Sequence, residues 1–263
     1  MKKILLLVII ASMVSCKQSS EEKKTQEKAI EKVVIAKNYP ENISKVFEAH
    51  GGLDTWNKMQ TLVFTMQKPD GDEITTTNLI NRKSLIEMPK HTIGYNGEAV
   101  WLQSKDTVVY KGNPKFYYNL MFYFYAMPFI LSDDGILYED AAPLVFEGKN
   151  YPGIKISYEA GIGESPDDEY ILYYDSETYK MSWLAYTVTY FLKEKAKEFH
   201  FIKYSNWQTV EGLLLPQKLT WYDYKNNLPT TKRNDLPFVN VKLSLKKTNK
   251  EIFEVPAGAK IIE

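Results

Sequence analysis

The sequence predicts a mainly β protein with some α, a single antiparallel sheet curved around a helical plug. Three observations predict it. Apolar and polar residues alternate with period two through most of the chain after residue 61. Tight-turn signals separate those runs about every ten residues. Aromatic residues make up 14%, carried by 19 Tyr and 12 Phe, types that favour pleated, half-buried surfaces. No helix-period segments alternate with the strands, so a doubly wound parallel fold is not expected.

In chain order, Met1-Lys2-Lys3 is a basic start and residues 4–14 are an apolar core too short to span a bilayer. Met13-Val14-Ser15-Cys16 follows, with small Ser15 before the cysteine. The pattern resembles a bacterial lipoprotein leader, with Met13 where that family usually has Leu. The resemblance implies a signal peptide over 1–15, cleaved before Cys16, and lipidation of Cys16. Several buried acyl chains anchor firmly where one is marginal, at ~0.8 kcal/mol per CH₂. Cys16 is the sole cysteine, so no internal disulfide and no Cys-based metal cluster can form.

Residues 16–38, rich in Lys, Glu, Ser and Gln, read as a solvated tether from the lipidated cysteine. Lys17 follows the anchor where sorted lipoproteins retained at the inner membrane often have Asp. That resemblance implies the outer membrane, with periplasmic-facing and surface-exposed placements both open. Removing Lys2 and Lys3 with the leader leaves a net charge of about −2. With no basic excess to release counterions from phosphates, nucleic acid is excluded as a partner.

Residues 39–263 read as one domain. Ile43, Val46, Phe47 and His50 fall on one stripe of a helix over 40–50 that Gly51-Gly52 ends with a left-handed cap. Asp54 caps a second short turn carrying Trp56 and Met59. Strands are expected over 61–66, 73–81, 84–88, 91–95, 98–103, 107–110, 144–146, 153–159, 169–174, 180–190, 197–207, 213–224 and 239–246. Asn96-Gly97, Glu211-Gly212 and Asn226 supply hairpin turns.

Residues 116–131 read FYYNLMFYFYAMPFIL, uncharged throughout and half aromatic. Asn113-Pro114 opens this run, Pro128 disturbs its last turn and Asp134-Gly135 closes it. At ~1.5 Å per residue a helix of this length is shorter than the ~20 residues a bilayer needs. The run must therefore be covered by its own chain, as a plug or roof on the curved sheet. Phe122, Phe124, Tyr125, Met127 and Phe129 are the candidate lining of a hydrophobic-ligand site. The hydroxyls of Tyr117, Tyr118, Tyr123 and Tyr125 favour a cavity mouth, since a sealed core would have to satisfy each one.

Ala49-His50-Gly51-Gly52, the strand at 61–64, Tyr173-Tyr174-Asp175-Ser176-Glu177-Thr178, Leu215-Pro216-Gln217-Lys218-Leu219 and Phe253-Glu254-Val255-Pro256 occur in an order that is meaningful together. From about residue 42 onward the chain resembles uncharacterised Gram-negative lipoproteins similar to lipoprotein-sorting carriers and their outer-membrane receptors. The resemblance implies a half-open antiparallel barrel, its hollow covered by helices and able to hold acyl chains. A departure is that Phe122, Phe124 and Met127 are bulky enough to fill such a hollow.

The three histidines, His50, His91 and His200, form no zinc-binding spacing. No nucleophile turn accompanies His50-Gly51-Gly52, which reads as a helix end. Asp133-Asp134-Gly135 and Asp167-Asp168-Glu169 read as solvated turn carboxylates. Gly161-Ile162-Gly163 lacks a third glycine, and residues 193–197 read as a wet, charged edge. These readings imply no catalytic residue, metal or cofactor. The expected function is a lipid-anchored envelope protein that binds or carries a lipid, acyl chain or lipoprotein. The alternative is a non-enzymatic scaffold or accessory subunit of an envelope complex with a self-filled core.

Overall fold

The structure, a computed structural model, describes residues 37–159, 167–192, 196 and 198–263. The leader, Cys16, most of the tether, Gly161-Ile162-Gly163 and most of the run at 193–197 lie outside the described residues. Among the described residues, no helix is long and apolar enough to cross a membrane.

Thirteen strands form one open antiparallel sheet, curled as the half-open barrel that the sequence resemblance implies. They are β1 (Thr61–Met66), β2 (Glu73–Asn78), β3 (Ser84–Glu87), β4 (His91–Tyr95), β5 (Val100–Ser104), β6 (Ile136–Phe146), β7 (Lys149–Tyr158), β8 (Tyr170–Tyr174), β9 (Met181–Tyr186), β10 (His200–Val210), β11 (Leu213–Lys225), β12 (Leu228–Ser244) and β13 (Lys260–Ile262). Their order across the sheet is β13-β5-β4-β3-β2-β1-β12-β11-β10-β9-β8-β7-β6. Every neighbour but two is also a neighbour in sequence, as expected of a meander.

β12 makes the sheet continuous. Its first half pairs with β11, from Lys225↔Leu228 to Lys218↔Pro237, and its second half pairs with β1, from Met66↔Phe238 to Thr61↔Ser244. A bulge at Asn240, with φ of 53°, re-aims the strand between those partners. The sequence reading places only 239–246 here. Residues 230–235, with the charges of Lys232, Arg233 and Asp235, are exposed and Pro237 is half-buried, so the first half shows no apolar alternation. β6 is likewise longer than expected, because an edge strand tolerates Pro143 and charged residues. Residues 107–110 form no strand, and β13 is too short to leave a period.

Three hairpins turn through consecutive left-handed residues, at Glu147-Gly148, Glu211-Gly212 and Asn226-Asn227. That geometry matches the right-handed twist of the flanking strands. Period two then sorts the faces. Leu172, Leu184 and Ile202 lie side by side on the inner face and are fully buried. Tyr173, Trp183, Phe201 and Tyr222 point the other way, where Phe146 of β6 folds over them at 4.8 Å from Trp183.

Among the described residues, four short α-helices accompany the sheet. α1 (Glu41–Ala49) buries Ile43, Val46 and Phe47, and α2 (Leu53–Trp56) buries Trp56. The aromatic run is not one helix. It breaks into α3 (Pro114–Tyr117), α4 (Leu120–Tyr125) and a 3-10 turn over Phe129–Ser132. Pro128, which has no N–H to donate, stands between the last two. Asn113 caps α3 through a bond from Phe116 N–H at 3.2 Å. The broken segment packs against the sheet, with Phe122, Phe124, Tyr125, Ala126, Met127, Phe129, Ile130 and Leu131 all buried.

Candidate functional site

A plug built of broken turns leaves carbonyl groups without helical donors, and buried carbonyls need partners. The sheet supplies hydroxyls. Tyr204 of β10 donates to the carbonyl of Phe124 at 2.7 Å, and Ser84 of β3 donates to that of Tyr118 at 3.2 Å. Tyr39 donates to Ser132 at 3.1 Å, and Tyr138 of β6 donates to Leu131. Two ionic clamps add to this. Nη2 of Arg82 donates to both carboxylate oxygens of Asp133 at 2.7 and 2.9 Å, its guanidinium lying 5.1 Å from the centre of the Phe122 ring. Tyr117 donates to the buried Glu73 at 2.7 Å, while Lys68 donates to Glu73 and Tyr117 at 2.7 and 2.6 Å. Burial, reinforced by Glu73, pushes the Tyr117 phenol far above its ordinary value, so it stays a donor.

The plug does not fill the hollow. A cavity of about 390 Å³ remains, walled by the plug and by both arms of the curled sheet. Thr77, Asn81, Arg82, Ser84 and Tyr95 come from the β2–β4 arm; Tyr158, Asp168 and Tyr170 come from the β7–β8 arm. These arms lie on opposite sides of β12 in the strand order, and curvature alone brings them to one void.

The candidate ligand residues divide. Phe122, Phe124 and Met127 line the cavity. Tyr125 faces away, its ring 4.4 Å from Phe64 and 4.5 Å from Phe238, with Gln208 as the polar neighbour of its hydroxyl. Phe129 also faces away, stacked on Trp56 at 4.7 Å and set edge-on to His50. Adjacent residues of a helical turn point about 100° apart, so a continuous run of rings cannot all face one void.

Of the acidic turns read as solvated, Asp134 and Asp167 are exposed and Asp168 is not. Asp133 is half-exposed but held by Arg82, and Asp168 is only 7% exposed. Asp168 accepts from Thr189 N–H at 2.6 Å and from the Thr187 hydroxyl at 3.3 Å. Burial raises its pKa above the usual carboxylate range, against the pull of Thr189 and Thr187. Burial also raises the phenols of Tyr158 and Tyr170, so the wall beside Asp168 is of neutral hydroxyls. A two-residue offset from Tyr170 on the inner face of β8 was the only signal in the sequence that Asp168 turns inward.

His50 ends α1, as read from Gly51-Gly52: Gly52 N–H reaches the Phe47 carbonyl at 2.9 Å. Among the described residues, no group of three or more His, Cys, Asp or Glu is placed to hold a metal ion.

Comparison with known proteins adds a family and several folds. A family model described as a family of unknown function matches residues 2–230. No curated protein matches the chain. A solved LolA superfamily protein from Nitrosomonas europaea is similar at 9% identity and a TM-score of 0.44, over 75% of this chain and 89% of that one. A DUF1329 family protein from Desulfovibrio piger is similar at 11% identity and a TM-score of 0.48, over 82% and 98%.

Proposed function

The chain belongs to the family of unknown function DUF6503, and we propose that it holds one hydrophobic ligand, a lipid or acyl chain, between plug and sheet. In this reading Phe122, Phe124 and Met127 grip the chain, and a lipidated Cys16 tethers the domain to the outer membrane through residues 16–38. Handing on a lipoprotein is the finer form of the same function.

The observation that supports the reading is the void itself. At about 390 Å³ it sits at the small end of the ~300–1,000 Å³ of ligand pockets. It has room for about a dozen waters at ~30 Å³ each, enough for one chain and too little for several. Its chemistry is aromatic and phenolic, suited to binding. A close-packed core would leave few voids larger than a water.

The scaffold reading draws on the other half of the plug, where Tyr125, Phe129 and Leu131 are fully buried without touching the void. Native mass spectrometry after mild extraction, with uptake of a pyrene-labelled fatty alcohol, separates the two. A copurifying lipid or saturable uptake is expected. Met127→Trp should fill the void and remove uptake while lowering the melting temperature by no more than about 10 °C. A clean apo mass with no uptake by the folded protein leaves the scaffold reading.

A further inference from the structure

Among the described residues, the cavity wall carries one negative charge that no side chain balances. The Arg82 guanidinium is matched by Asp133, on which it makes two bonds, so that pair contributes little net charge to the void. Asp168 has no such match. Its donors, Thr189 N–H and the Thr187 hydroxyl, both reach Oδ1 and are both neutral. The one charged group that acts on it among the described residues is Asp167, of the same sign.

A buried carboxylate without a counter-ion is costly, and folds pair such groups or place them where something else will. The cavity that Asp168 lines is also lined by the rings of Tyr123, Tyr158, Tyr170, Tyr190 and Phe116. An aromatic face is negative and attracts a cation lying within ~6 Å of its centre, the more so when both are desolvated. A carboxylate in a cavity lined by aromatic rings is the chemistry that recognises an ammonium. A carboxylate-headed chain would meet Asp168 as a like charge.

We infer that the occupant is an amphiphile with an ammonium headgroup, seated at Asp168 with its chain along Phe122, Phe124 and Met127, which rests on the ligand-holding reading above. The fold thus selects by headgroup sign as well as by chain.

Calorimetric titration of the purified protein, at neutral pH and below micelle concentrations, tests this with three matched probes. They are dodecyltrimethylammonium, dodecanol and dodecanoate. The ammonium should bind about tenfold more tightly than the alcohol, which corresponds to ~1.4 kcal/mol, and the carboxylate should bind weakest. Asp168→Asn keeps the shape and an oxygen for Thr189; it should erase the ammonium preference, read as the ratio of ammonium to dodecanol affinity on the same variant. A carboxylate that equals or beats the ammonium on the native chain overturns the inference whether or not the variant folds. A ranking that survives Asp168→Asn overturns it too, and in both cases dodecanol binding leaves the cavity reading standing. Failure of all three probes to bind overturns both.

Discussion

The backbone N–H of Met181 donates to Nε2 of His50 at 3.4 Å, and this bond fixes the state of the imidazole. Nε2 must accept, so Nδ1 carries the proton and donates to the Val46 carbonyl at 2.7 Å. A second proton would point at the Met181 N–H. Burial holds His50 down to about 4, against the Val46 carbonyl, with Lys180 helping to lower it.

The unfolded chain therefore takes up this proton first as pH falls. Stability from His50 is full above the ordinary value of ~6.5 and is lost between ~6.5 and about 4, by up to ~3 kcal/mol. Urea midpoints across that window should fall more steeply for the native chain than for His50→Gln. Equal slopes would show that another group titrates.

Gly51 and Gly52 should respond differently to the same substitution. Both have positive φ, but a Cβ on Gly51 would stand 2.3 Å from the Gly212 carbonyl oxygen, whereas nothing lies within 4 Å of one on Gly52. Gly52→Ala should cost ~1–2 kcal/mol, the left-handed penalty alone. Gly51→Ala should cost roughly twice that or more, because the β10–β11 turn must give way. Denaturation curves giving equal losses would contradict the close approach.

Tyr204→Phe removes the hydroxyl that meets the Phe124 carbonyl while keeping the ring. A buried carbonyl left short of a donor predicts a loss of ~1–3 kcal/mol in thermal or urea unfolding. A change under about 0.5 kcal/mol would mean that water replaces the phenol at once.

Lipidation is testable at the N-terminus. The mature N-terminal peptide should begin at Cys16 and carry acyl mass, and Cys16→Ser should lose that mass. A native peptide that begins elsewhere, or an unmodified Cys16, would remove the anchor.

The parts of the fold legible beforehand are those written in local chemistry. The α1 stripe and its Gly51-Gly52 end, the hairpin turns at Glu211-Gly212 and Asn226, and the period-two faces of β10 and β11 each lie within about a dozen residues. Half of β12 was hidden because its pairing with β11 is made by backbone whose side chains are mostly exposed, and that pairing needs no apolar side chain. Phe122, Phe124 and Met127 were legible as greasy and confined; Tyr125 and Phe129 were equally so, and no local rule separates the two sets.

Composition, period and turn residues determined on their own that this chain makes an antiparallel sheet with an aromatic segment to shelter. Tertiary structure alone decided where shelter is incomplete. A void is a mismatch between the volume a curled sheet encloses and the volume distant side chains supply, and the Arg82–Asp133 clamp and the Tyr204–Phe124 bond that set that mismatch join residues 51 and 80 positions apart. The same closure turned Asp168 from a turn residue into the unmatched charge of the cavity wall.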